Sequence, residues 1–163
     1  MITHNHREIF RLLAVGPLIL ALGCAANLGC REAAKGPPRV ILQSSAKSKI
    51  TVKVEVVSRN EDRAKGLMFR QKMASDAGML FVYQHDDDHS FWMKNTFIPL
   101  DLIFITSNMR VVGIAENTKP LSTTHISIKT SSRYILEVNA GFAKKHKIRE
   151  GSQVIFEGFD PTR

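Results

Sequence analysis

Cysteine is scarce in this sequence of 163 residues, and the two that occur, Cys24 and Cys30, both lie near its start. From Arg31 to Arg163 the chain contains no thiol. That part of the chain therefore excludes a disulfide scaffold, a cysteine zinc site, an iron–sulfur cluster and a cysteine nucleophile. The sequence also lacks a Ser-His-Asp order and a phosphate-binding glycine motif, so it assigns no nucleophile to any residue.

Acidic residues are outnumbered, with 15 Asp and Glu against 23 Lys and Arg, which gives a formal net charge of +8. Apolar residues make up 44% of the chain. This proportion excludes a disordered chain and fits one compact domain.

Long apolar runs are also scarce, which makes a permanent transmembrane helix the weaker interpretation. The most apolar run, Leu12 to Leu22, is about half of the ~20 residues that a span requires, and Pro17 would kink it. The run follows Arg7 and Arg11 and ends in small residues, which is the layout of a secretory signal peptide. Residues 1–23 are therefore predicted to be a signal peptide, with an uncleaved anchor as the weaker alternative.

The residues that end this run resemble a bacterial lipobox, in which a lipidated cysteine becomes the new N-terminus. They are Ala21-Leu22-Gly23-Cys24, so Cys24 is the predicted lipidation site. Asn27 to Cys30 is a poorer second candidate, and a plain cleaved signal peptide with two incidental cysteines stays open. The prediction is an exported, lipid-anchored protein of the bacterial cell envelope that faces the periplasm.

The segment that follows Cys24 is small and polar and ends in Gly36-Pro37-Pro38 without apolar periodicity. Residues 24–38 are therefore predicted to be the lipidated N-terminus and a flexible tether. The interval 39–160 has the length of one ordinary domain.

Alternating or apolar stretches that are separated by turn residues predict a series of short strands in this domain. These are 50–57, 78–83, 90–94, 100–106, 110–116, 134–138 and 153–158. Two short helices are predicted at Arg59 to Lys65, capped by Ser58, and at Ala140 to His146, capped by Asn139. Because the connections are short, the expected fold is mostly β (α+β), a compact antiparallel β sandwich or barrel with two short helices.

Five separated blocks of the sequence resemble the DUF192 family, also called UPF0127. The central block is Phe91 to Phe104, and the others are Arg63 with 66–70, 78–81, 134–141 and 148–154. The resemblance implies a compact, mostly β domain that is often exported or tethered in the envelope, and it implies no established reaction. Matched by position, the characteristic polar residues of the family would be Arg63, Arg70, Lys94, Asn95, Thr96, Asp101 and Glu137.

The same polar residues stand out without the family, because Asp101 and Glu137 each lie in an apolar stretch. A buried carboxylate is costly unless it is paired or hydrogen-bonded. Asp101 is therefore expected to form an ion pair with Arg63, Arg70 or Lys94, or to hold a turn. The candidate binding pocket consists of Arg63, Lys94, Asn95, Thr96, Asp101 and Glu137.

Metal and nucleic acid are both disfavoured as ligands. His85 and His89 flank three aspartates and are weak metal candidates, because a charged turn is usually solvated surface. The basic run Lys144 to Arg149 has no interleaved aromatic residues, which argues against nucleic acid. That run is interpreted as a solvated helix face or a contact for anionic headgroups.

These observations favour an envelope-tethered binding or accessory module with no cofactor, whose partners are the membrane, through its lipid anchor, and a small molecule or another envelope protein. Two alternatives stay open. One is a small enzyme in which Asp101 and Glu137 form an acid–base pair. The other is a scaffold for other envelope proteins.

Overall fold

The computed structural model describes residues 36–161. The predicted signal peptide, Cys24 and Cys30 lie outside these residues. No helix in the described part of the chain is long and apolar enough to cross a membrane.

Seven strands and two short helices make up the domain. The strands are β1 (Arg39–Gln43), β2 (Lys49–Val57), β3 (Ala77–Asp87), β4 (Leu100–Ile105), β5 (Val111–Ala115), β6 (Ser132–Asn139) and β7 (Gln153–Glu157). The helices are α1 (Asn60–Lys65) and α2 (Phe142–His146). The expectation of a mostly β domain with two short helices is confirmed.

The strands form one curled sheet, a half-barrel, in the order β5-β4-β6-β3-β2-β1-β7. Its two outer strands approach each other at one end, where Arg110 bridges to Gln153 and the Val154 N–H donates to the Met109 carbonyl. The pair β2 and β3 is parallel, and the other pairs between named strands are antiparallel. The parallel pair is possible because residues 58–76, which include α1, form the crossover that parallel strands require.

Each face of the sheet carries its own core. On the first face, apolar side chains from all seven strands meet, and Phe142 and Ala143 of α2 pack against them. On the second face, side chains of β3, β4 and β6 pack against Leu67, Met93 and Ile98, which come from loops. The candidate site lies on this second face, under those loops.

One predicted strand is wrong, and one strand was missed. Residues 90–94 form a loop rather than a strand, because Phe91 makes only an isolated bridge to Ile126 and the Met93 N–H donates to the Ser122 carbonyl. The short strand β1 was not predicted, since five residues after Pro37-Pro38 give little periodicity.

The predicted helix caps also differ from the structure. Arg59 occupies the N-cap of α1 without a side-chain cap, and its guanidinium instead donates to Asp62, 2.8 Å away. Gly141 is the N-cap of α2, with φ of 81°. The Asn139 amide donates to the carbonyls of Met73 and Ala74, so it fixes a loop instead of the helix.

Candidate functional site

Glu137 lies in the middle of β6 on the second face of the sheet. Its register partners are Met79 on β3 and Leu102 on β4, both of which belong to the second core. The residue is 6% exposed. A carboxyl group at this position is therefore surrounded by apolar side chains on both neighbouring strands.

The space above Glu137 is a pocket with a volume of about 340 Å³. One wall comes from α1 and the turn after it, and the opposite wall comes from the loops around residues 90–96 and 125. Its apolar lining includes Leu67, Met68, Phe81, Phe91 and Trp92. Its polar lining consists of Glu137 with Arg63, Lys65, Tyr83, Ser90, Thr96 and His125.

The Glu137 carboxyl is the unusual group in this lining. Burial raises its pKa from 4.5 to about 8, so the group is mostly protonated and neutral at pH 7. Among the described residues no hydrogen bond reaches this carboxyl, and burial alone accounts for its raised pKa, whereas buried polar groups are generally paired. A protonated carboxyl can both donate and accept a hydrogen bond, and here both capacities are left for a molecule in the pocket.

Arg63 fixes the pocket wall rather than neutralising a carboxylate. Its guanidinium donates to the Val82 carbonyl at 2.9 Å and to the Ser58 carbonyl, and it lies 4.5 Å from the centre of the Tyr83 ring. These contacts tie α1 to β3. Burial raises the pKa of the Tyr83 hydroxyl, so this side chain stays neutral beside Glu137.

Lys94, Asn95 and Thr96 form a tight turn at the rim of the pocket, and they differ in role. Asn95 has a φ of 57°, and its carbonyl accepts from the Phe69 N–H at 2.8 Å. The Lys94 ammonium lies 5.3 Å from the Trp92 ring centre. Thr96 is buried and lines the pocket, so of these three residues only Thr96 contributes to its wall.

Asp101 does not belong to this pocket. Its carboxylate accepts from three backbone N–H groups: Asn117 at 2.8 Å, Gly141 at 3.1 Å and Ala143 at 2.9 Å. The side chain is fully buried, and it joins β4 to the loop after β5 and to the start of α2. Asp101 therefore holds turns, which was one of the two expected roles.

The prediction that Asp101 forms an ion pair is wrong. Arg70 forms a two-pronged pair with Glu55 on the surface, at 2.6 and 2.5 Å, and Arg63 and Lys94 have the contacts given above. Backbone amides replace the basic partner, because the carboxylate needs donors and the loops supply three of them.

The structure also does not bring Asp101 and Glu137 together as an acid–base pair. Leu102, the residue after Asp101, is the register partner of Glu137. Successive side chains of a strand point to opposite faces, so Asp101 points to the first face and Glu137 to the second. An enzyme that uses these two carboxyls in one pocket is therefore not the arrangement that the fold provides.

Two further residues at the pocket, Ser90 and His125, were not predicted from the sequence. The Ser90 Oγ lies 3.0 Å from the His125 Nδ1, and the His125 ring stacks near Trp92 with 6.3 Å between centres. Within residues 36–161 no carboxylate hydrogen-bonds to His125, so the pair lacks the orienting acid of a hydrolytic triad. The residues are 35 positions apart, and no sequence pattern joins them.

The weak metal candidates His85 and His89 are not brought into a ligand cluster. In the described part of the chain, no three His, Cys, Asp or Glu side chains are placed to hold a metal ion. The His89 ring stacks on Tyr83 with 3.6 Å between centres, and burial lowers its pKa. His85 is exposed at the end of β3.

Comparison with known proteins agrees with the resemblance. The sequence model of DUF192, a family described as an uncharacterized ACR, matches residues 40–156. A crystal structure of a proposed transcription regulator from Sinorhizobium meliloti 1021 is 34% identical, with a TM-score of 0.72 over 77% of this chain and 97% of that chain. A crystal structure of a protein of unknown function from Novosphingobium aromaticivorans DSM 12444 is 33% identical, with a TM-score of 0.69 over 72% of this chain and 83% of that one. No curated protein matches this chain.

Proposed function

Because this chain belongs to the DUF192 family, which is described only as uncharacterized, we propose its function from the pocket: it is an envelope-tethered binding module for a small molecule. The ligand has a largely apolar body and carries one hydrogen-bond donor or cationic group that contacts Glu137. The single observation that carries the proposal is the buried Glu137 carboxyl, unpartnered among the described residues, in the pocket.

The pocket has the size and lining of a small-molecule site. A volume of about 340 Å³ lies at the lower end of the range for ligand pockets, which are mostly apolar with a few polar groups. Phe81, Phe91 and Trp92 provide aromatic surface for an apolar body. Glu137, Ser90 and Thr96 provide the polar contacts that orient it.

The protonation state of Glu137 determines which polar group of a ligand it can bind. A neutral carboxyl accepts a hydrogen bond from an alcohol or an amide without changing its charge. A cationic amine would favour the ionised form, since an opposite charge stabilises a carboxylate, and binding would then release a proton at pH 7. An anionic group would be repelled once Glu137 ionises.

Three indole probes test this chemistry, because they share one aromatic body: tryptamine is a cation, tryptophol is an alcohol and indole-3-acetate is an anion. At pH 9, where Glu137 is mostly ionised, we expect tryptamine and tryptophol to bind at least tenfold more tightly than indole-3-acetate. At pH 7, isothermal titration in two buffers of different ionisation enthalpy should detect proton release with tryptamine and none with tryptophol.

Two matched substitutions distinguish the loss of a ligand contact at Glu137 from a general loss of stability. Glu137→Gln keeps the shape and a hydrogen-bonding group but cannot become a counterion, so tryptamine binding should be lost while tryptophol binding survives. Glu55→Gln, which removes an exposed carboxylate, should leave both affinities unchanged. Equal affinity for all three probes, or no effect of Glu137→Gln, would contradict the proposal.

We also propose that the chain is exported and anchored by a lipid on Cys24. The support is in the sequence: a basic start, the apolar run 12–22 and the junction Leu22-Gly23-Cys24. Cys24→Ser should release the protein from the membrane fraction or block its processing, and Cys30→Ser is the matched control. If only Cys30→Ser changes processing, Cys30 is the lipidated residue.

A further inference from the structure

Three loops at the pocket mouth carry most of the exposed large hydrophobic side chains of the described residues. Residues 36–161 contain five exposed large hydrophobic residues, and four of them lie on these loops: Phe69 (60% exposed), Trp92 (46%), Phe97 (40%) and Leu121 (58%). The fifth, Ile155, is on β7. We call the segments 65–73, 91–99 and 117–126 the loop face.

Backbone hydrogen bonds join the three segments into one surface. The Phe69 N–H donates to the Asn95 carbonyl at 2.8 Å, and the Leu121 N–H donates to the Thr96 carbonyl at 3.0 Å. The rings of Phe69 and Phe97 meet edge to face, 6.3 Å apart. The exposed apolar residues therefore form a cluster instead of being scattered singly, and such a cluster marks an interaction site.

Two of these residues are held outward at a conformational cost. Phe69 has a φ of 66° and Leu121 a φ of 61°, the left-handed region that bulky side chains avoid. Asn or Gly would adopt this backbone more readily than Phe or Leu. Strain of this kind tends to collect at functional sites, where the side chain is needed in an unfavourable position.

The charge on the loop face is of one sign. Its three segments contain Lys65, Arg70, Lys72, Lys94 and Lys119 and no acidic residue. Arg70 is paired with Glu55 of β2, and the four lysines are exposed. Exposed aromatic and aliphatic side chains together with exposed lysines are the combination that inserts at the surface of an anionic bilayer.

We propose that the loop face docks on an anionic lipid bilayer, with Phe69, Trp92, Phe97 and Leu121 entering the headgroup region and the lysines contacting the headgroups. This contact is separate from a lipid anchor on Cys24 and does not depend on it. It turns the pocket mouth, which includes Trp92 and Lys65, toward the membrane.

Trp92 makes the test specific because it is the only tryptophan of the chain. The full chain carrying Cys24→Ser and Cys30→Ser is titrated with vesicles of phosphatidylcholine containing 30% phosphatidylglycerol, and with vesicles of phosphatidylcholine alone. We expect the Trp92 emission to shift to the blue and to be quenched by brominated lipid with the anionic vesicles. The effect should weaken as salt is raised.

Charge-reversal variants on the loop face and on α2 distinguish docking through the loop face from the general attraction of a basic protein to anionic lipid. Lys94→Glu with Lys119→Glu should lower the vesicle partition coefficient measured from Trp92 emission at least tenfold, whereas Lys144→Glu with Lys145→Glu on α2, an equal charge change, should lower it much less. Phe69→Asn with Leu121→Asn should also lower it at least tenfold without lowering the unfolding midpoint, because Asn tolerates a positive φ. Ile155→Asn is the control for an exposed apolar residue elsewhere.

Two results would overturn the proposal. One is an unchanged Trp92 emission while the protein still sediments with vesicles, since binding would then occur through another part of the chain. The other is a blue shift that rises with protein concentration in the absence of vesicles, since the loop face would then bind a second copy of the chain.

Discussion

On the first face of the sheet the Asp101 carboxylate is buried and accepts three backbone hydrogen bonds, whereas on the second face, one strand away, the Glu137 carboxyl is buried and accepts none within the described residues. Both residues lie in apolar strand segments, so their sequence contexts are alike. Their surroundings in the folded protein differ. Asp101 holds loops over a packed core. Glu137 instead faces a pocket, where a bound molecule can provide its hydrogen-bond partner.

A buried acid is a candidate binding residue only when its own fold leaves its hydrogen-bonding capacity unused. Substitutions of Asp101 and of Glu137 test this contrast.

The larger effect is expected for Asp101→Ala. The N–H groups of Asn117, Gly141 and Ala143 would lose their acceptor, and we expect a loss of about 3–5 kcal/mol in the free energy of unfolding. Asp101→Asn, which keeps the volume and one acceptor oxygen, should lose less. Denaturant unfolding at pH 7 measures both changes.

The control for this prediction is Glu55→Gln. It removes an exposed carboxylate paired with Arg70 and should cost less than about 1 kcal/mol. If Asp101→Ala also costs less than about 1 kcal/mol, Asp101 does not hold the loops and its difference from Glu137 disappears.

The smaller effect is the pH dependence that Glu137 imposes on stability. Its pKa is about 8 in the folded protein and 4.5 as the ordinary value, so the unfolded state releases its proton first as the pH rises. The contribution of Glu137 to stability is thus complete below pH 4.5 and is lost as the pH rises through 8. Between about pH 5.5 and 8 the wild type should lose roughly 2–3 kcal/mol relative to Glu137→Gln.

Unfolding curves of the two proteins at matched pH values measure this difference, and the other titrating groups cancel in the comparison. Parallel pH profiles would mean that Glu137 is ionised in the folded protein at neutral pH, and the contrast with Asp101 would then have to rest on hydrogen bonding alone.

Much of the fold could be predicted from the sequence, because apolar periodicity and short connections are local signals. The alternation of Ile50 to Val57 identified β2, and the apolar stretches around Asp101 and Glu137 identified β4 and β6. The segment 90–94 gave the same apolar signal, but tertiary contacts with residues 122–126 made it a loop. Local propensity is weaker than such contacts.

The candidate site was predictable only in part. Glu137 was a candidate because of its apolar neighbours, but its separation from Asp101 depends on the register between β4 and β6, which the sequence does not display. The pairing of Ser90 with His125 and the positive φ of Phe69 depend on loops that meet only in the folded chain. No pattern in the residues themselves signals either feature.

The sheet places its first and last strands side by side, with β1 paired to β7 from Arg39 with Glu157 to Gln43 with Gln153. A chain that emerges N-terminus first must wait until β7 has emerged before β1 gains its second neighbour. Until then Val40 and Leu42 lack Val154 of the first core. Contacts this distant in sequence are slow to form, so completion of the domain depends on the late arrival of β7. A chain cut short before β7 would carry an unpaired strand edge, which makes it prone to associate with other chains.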